Sequence, residues 1–112
     1  MWLATQHGFF SIVQKEEDLF FIRARVRGDL ENIVKLLAVD LEIHEWATAD
    51  YRYRLMIDLE GLLELMVYLT TNINYPNFKA RIYEREDQSH KLSAYHRVWS
   101  TMAELQGKST TA

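Results

Sequence analysis

The chain has 112 residues, 48% of them apolar, with 13 Lys and Arg against 16 Asp and Glu and no cysteine. One ordinary core can form from such a chain without metal or disulfide, and the missing thiols exclude cysteine nucleophiles, Cys-based zinc sites and a disulfide framework. A formal net charge of −3 excludes a broad attraction to nucleic acid or anionic lipid, so any such binding needs a local basic patch.

From the N-terminus, Met1 to Gly8 has no basic n-region and no signal-peptide apolar stretch, so the expected compartment is the cytoplasm. Phe9 to Val13 and Leu19 to Val26 read as strands, because they are rich in Phe, Ile and Val and flank the charged turn Lys15-Glu16-Glu17-Asp18. Alternation puts Phe20, Ile22, Ala24 and Val26 on the core side and Phe21, Arg23, Arg25 and Arg27 on the other. Asp29 is placed to cap a helix whose buried stripe is Leu30, Ile33, Val34 and Leu37.

The plan then repeats. Leu41 to Trp46 reads as a strand, Ala47 to Asp50 as a turn, Tyr51 to Ile57 as the returning strand, and Asp58 as the cap of a helix striped by Leu59, Leu62, Leu63 and Met66. The segment Arg23 to Leu37 recurs 29 positions on as Arg52 to Met66, with Arg, Arg, Asp, Leu, Glu and Leu in place. On the second returning strand Tyr51, Tyr53, Leu55 and Ile57 point one way, and Arg52, Arg54 and Met56 the other. The longest apolar stretch, Leu59 to Leu69, is shorter than the ~20 residues of a membrane span and contains Glu60 and Glu64, so no membrane association is expected.

Asn74-Tyr75-Pro76-Asn77 ends the second helix, and Pro76 suits the start of a short helix carrying Phe78 and Ile82. A last helix from Ser89 is predicted by Leu92, Tyr95, Trp99 and Met102. The expected fold is therefore α+β: tandem ββαββα units forming a four-stranded, mainly antiparallel sheet with helices on one face, plus one or two C-terminal helices. A single domain is expected over residues 1–106, followed by a flexible tail over 107–112.

The candidate binding residues are Arg23, Arg25, Arg27, Arg52 and Arg54 on the far sheet face with Phe21, joined by His44 and Trp46 from the third strand. Guanidinium forks bind phosphates and stack on bases, and exposed sheet aromatics serve single-stranded RNA binders. The competing reading is a wet face on which Glu16, Glu42 and Glu45 neutralise the arginines, or a face covered by the C-terminal helices. No RNP-type string is present.

His7, His44, His90 and His96 lack metal-ligand spacing; His90 and His96, six apart, fall on different faces if one helix carries both. Gly107-Lys108-Ser109 is not a phosphate loop, because Met102 stands where its first glycine belongs, and no G-x-S-x-G elbow or G-x-G-x-x-G turn occurs. No catalytic residue, metal or cofactor is expected. Tyr75, Phe78, Tyr83, Tyr95 and Trp99 concentrate five rings in the last third, which suits core packing or a contact surface.

The strings M-W-L-A-T-Q-H-G-F-F-S-I-V-Q, R-A-R-V-R-G-D-L-E-N, W-A-T-A-D-Y-R-Y-R, Y-P-N-F-K and A-Y-H-R-V-W together resemble a family of uncharacterised bacterial proteins of about this size. The resemblance spans most of the chain. It implies bacterial origin and a small α+β domain, and it carries across no activity or functional residue. The expected function is a non-enzymatic binding or regulatory module that works by contact with a protein partner or a second copy. The alternatives are RNA or single-stranded DNA binding through the arginine face and, behind it, an enzyme on an anionic substrate, with Arg52 or Arg54 clamping the anion and His44 or His96 shuttling a proton.

Overall fold

A computed structural model describes residues 1–107. The chain forms two compact units, Met1–Asn74 and a second beginning at Tyr75. The fold is α+β, with a five-stranded antiparallel sheet and four α-helices among the described residues.

In the first unit, β1 (Trp2–Thr5), β2 (Gly8–Glu16) and β3 (Leu19–Ala24) form a meander, followed by α1 (Arg27–Leu37), β4 (His44–Glu45), β5 (Tyr53–Ile57) and α2 (Leu59–Thr71). The sheet order is β1-β2-β3-β5-β4. It has one strand more than the four expected, because Trp2–Thr5 pairs with Gly8–Ser11 in a tight hairpin. Its β4 edge shrinks to two residues, which leaves little backbone there for another chain to pair with.

The core lies on one sheet face. Phe10, Ile12, Ile22, Ala24, Leu55 and Ile57 meet Leu30, Ile33 and Leu37 of α1 and Leu62, Leu65 and Leu69 of α2. The alternation read from β3 and β5 is thus realised within the strands themselves.

The two copies of the sequence repeat adopt different local structures upstream of their aspartates. Strand β3 ends at Ala24, whereas the aligned Tyr53 begins β5. The cap also differs. Helix α1 starts at Arg27 with Val26 as its N-cap and no side-chain cap, so Asp29 lies inside its first turn, buried. The Asp29 carboxylate instead accepts the Phe9 N–H of β2 at 3.2 Å. Asp58 does cap α2, accepting the Gly61 N–H at 2.8 Å.

A further tie joins the β2–β3 turn to α2. Asp18, in the left-handed region at φ 58°, accepts the Leu59 N–H at 2.9 Å. That carboxylate satisfies a second free donor of the helix start.

The second unit contains α3 (Phe78–Glu84), a 3-10 turn over Ser89–Lys91, α4 (Leu92–Ala103) and a final 3-10 turn over Glu104–Gln106. Pro76 lies outside α3, whose cap is Asn77, with its side chain accepting the Ala80 N–H at 2.8 Å. Phe78 and Tyr95 meet edge-on, their ring centroids 5.0 Å apart, tying α3 to α4. The frayed tail expected from Gly107 onward lies, beyond Gly107, outside the described residues. Among the described residues no helix is long and apolar enough to cross a membrane.

Candidate functional site

Register alone assembles a row on the sheet face opposite α1 and α2. Ser11 pairs with Arg23, Arg23 with Arg54, and Arg54 with His44, so four side chains from β2, β3, β5 and β4 follow one another across the sheet. Like charges directly opposite on adjacent strands repel. Two arginines therefore need other groups to hold them in place.

Those groups are aromatic. The Arg54 guanidinium lies 3.8 Å from the Trp46 ring centroid and 5.8 Å from that of Phe21, and the two rings meet edge-on at 6.0 Å. Its Nη2 donates to the Tyr51 carbonyl at 2.6 Å. Arg23 donates from Nη2 to the Ser11 hydroxyl at 2.6 Å and lies 4.7 Å from the Tyr51 ring centroid, with Arg25 at 4.1 Å from the same ring. Such cation–π contacts contribute about 0.5–2 kcal/mol each, more when desolvated.

Burial separates the five arginines. Arg54 is only 3% exposed, Arg23 is half-buried, and Arg25, Arg27 and Arg52 face water. Among the described residues no carboxylate lies within 4 Å of Arg23 or Arg54, and the Nε of each is buried without a hydrogen-bond partner. Burial, and after it the charge of Arg23, hold the Arg54 guanidinium below its ordinary pKa, with Asp50 opposing the shift. Arg52 behaves oppositely. Its hydrogen bond and ion pair to Glu45, both at 2.7 Å, raise its pKa.

The expected row of five arginines thus reduces to two on the sheet. Arg25 and Arg27 leave it because β3 ends at Ala24, and Arg52 precedes β5. Tyr51, expected on the core side, instead lies beneath Arg23 and Arg25, 4% exposed. Phe21 is buried at 7%, and Trp46, at 47%, is the ring of this cluster that remains open. His44 is half-buried, its Nε2 3.9 Å from the Glu42 carboxylate. Arg27 lies apart, lining a shallow hollow of about 520 Å³ with Glu31, Lys35 and Glu42.

Two further features were not legible from spacing. Helix α2 is apolar on both sides: Leu62, Leu65 and Leu69 enter the core, while Leu59, Leu63 and Val67 are exposed at i, i+4 and i+8. In the second unit, His90 and His96 both line one hollow of about 750 Å³ with Lys79 and Tyr83. His90 lies on a 3-10 turn before α4, so it does not follow the helical phase of His96. No group of three or more His, Asp or Glu able to hold a metal ion occurs among the described residues.

No protein-family model, curated protein or solved structure matches the chain.

Proposed function

We propose that the protein is a non-enzymatic module that works by protein contact, with the outer face of α2 as its contact surface. The observation that carries this reading is the exposed stripe Leu59, Leu63 and Val67, on a helix whose other side already fills the core. A helix that is apolar all round is normally buried all round, and contiguous apolar surface of this kind marks interaction sites.

The occupant is α4 of a second copy. Helix α2 carries Glu60 and Glu64 and no basic residue, so a second α2 would bring carboxylates together. Helix α4 carries His96 and Arg97 and no acidic residue, and it exposes Val98 and Met102 at i and i+4, with Leu105 following in the next turn. Apolar stripes with opposite flanking charge suit one another, and the charge pair sets the register.

The arginine face supports nucleic-acid binding less well. Base stacking needs open rings, and Phe21 and Tyr51 are buried while the Trp46 ring is already stacked on Arg54. Light scattering and sedimentation across micromolar to millimolar concentrations test the contact. The expected result is a mass above one chain that Leu63→Glu or Met102→Glu returns to that of a monomer. Arg97→Glu weakens association, and adding Glu64→Lys restores it. A monomer at every concentration refutes the proposal.

A further inference from the structure

The hollow in the second unit is the concave site with the clearest chemistry. Lys79 and Tyr83 line it from α3, His90 from the 3-10 turn, and Leu92, Ser93 and His96 from α4, and no Asp or Glu is among its lining residues. Its volume of about 750 Å³ falls within the range of about 300–1,000 Å³ typical of small-molecule sites.

Lys79 and His96 meet in the site. Lys79 Nζ lies 3.4 Å from His96 Nδ1 and 4.5 Å from the Trp99 ring centroid, and the His96 and Trp99 rings stack at 5.7 Å with 17° between planes. An ammonium has only donors, so neutral His96 must accept through Nδ1, which places its proton on Nε2. Both groups therefore offer N–H donors to a ligand. Arg97 adds a second cation, donating from Nη1 to the hydroxyl of the lining residue Ser93 at 3.3 Å. Among the described residues neither Lys79 nor Arg97 has a carboxylate within 4 Å. Glu84 and Asp87 are engaged elsewhere, with Arg81 at 3.3 Å and with Arg85 at 3.2 Å. Ala80, Leu92 and the Tyr83 ring give the lining an apolar part, beside Ser89 and His90.

From this geometry we infer that the hollow binds a small phosphomonoester, its phosphate held by Lys79 and His96 and its apolar or aromatic body resting on Tyr83 and Leu92. A dianion suits the site because it can accept from Lys79 and from the His96 Nε2–H together. This site shares His96 and Arg97 of α4 with the proposed contact but takes Lys79 from α3, so Lys79→Met tests the site and Leu63→Glu tests the contact, each without the other.

The test titrates the full chain with phenyl phosphate, inorganic phosphate and benzoate by calorimetry at about pH 8, where both phosphates are dianions. Histidine ring proton resonances are followed in parallel. Phenyl phosphate is expected to bind more tightly than inorganic phosphate, with the His96 resonance moving while those of His7 and His44 stay fixed. Lys79→Met is expected to weaken binding at least about tenfold, the loss of one charge-assisted hydrogen bond. His96→Ala is expected to weaken it through loss of the Nε2–H donor. The inference is overturned if phenyl phosphate fails to bind. It is equally overturned if benzoate binds as tightly, or if both variants bind like the wild type.

Discussion

Replacing Gly8 by alanine tests how tightly the β1–β2 hairpin is locked to α1. A Cβ at Gly8 would lie 2.5 Å from both Cβ and Cγ of Asp29 and 2.8 Å from Cζ of Phe10, well inside carbon–carbon contact distance. Neither neighbour yields cheaply, because Asp29 is 2% exposed and Phe10 is fully buried. The backbone at φ 156° adds strain of about 1–3 kcal/mol for a residue with a side chain. Moving the Asp29 carboxylate away breaks its hydrogen bond from the Phe9 N–H, a charge-assisted interaction contributing about 1.5–3 kcal/mol. The sum is a loss of about 2.5–6 kcal/mol, a large share of the roughly 5–15 kcal/mol that holds an ordinary domain together. At about 4–8 °C per kcal/mol, the unfolding midpoint falls by at least about 10 °C. Calorimetry and urea unfolding measure it, with Gly28→Ala as the control. The nearest atom to a Cβ at Gly28 is Glu31 Oε1 at 3.9 Å, so that change stabilises α1 by about 0.5–1 kcal/mol. A loss under about 1 kcal/mol for Gly8→Ala would refute the claim that Asp29 and Phe10 are held in place.

Three further outcomes follow from the arginines and caps. Arg54→Met is expected to leave stability unchanged or raise it by about 1–4 kcal/mol in urea unfolding, because an apolar chain of similar volume replaces a buried charge without a carboxylate partner. The sign agrees with the lowered pKa of Arg54: folding disfavours its charged form, so that charge opposes folding at every pH below its titration. A loss beyond about 2 kcal/mol would mean that the stack on Trp46 outweighs the burial. Arg52→Ala should change stability by less than about 1 kcal/mol, since its pair with Glu45 is solvent-exposed, and high salt should erase the difference. Asp58→Ala should cost about 1 kcal/mol through loss of the cap on Gly61 N–H, seen as a lower urea midpoint at unchanged slope.

What the sequence disclosed was periodicity, and what it concealed was where each period stops. The core side of β3 and β5 was readable, because alternation depends on neighbours along the chain, whereas of the stripe expected on α2 only Leu62 and Met66 meet the core and Leu59 and Leu63 are exposed. The arginine row failed at Ala24, where β3 ends and parity loses its meaning for Arg25 and Arg27. Asp29 looked like a cap by residue type, yet a contact 20 positions away claims its carboxylate. Strand β1 went unread because Trp2–Thr5 is only four residues long, and its partner is fixed by the Gly8 hairpin rather than by its own pattern. That His90 and His96 line one hollow was hidden by a single 3-10 turn.

The bond from the Leu59 amide to Asp18 spans 41 positions of sequence. It joins the tip of an early hairpin to the first turn of a late helix, so neither end is complete until the chain between them has closed. Exchange of that one amide with deuterium therefore serves as a gauge of cooperativity. If it exchanges as slowly as the amides of β3, the unit opens all at once; faster exchange marks the hairpin tip as the place where opening begins.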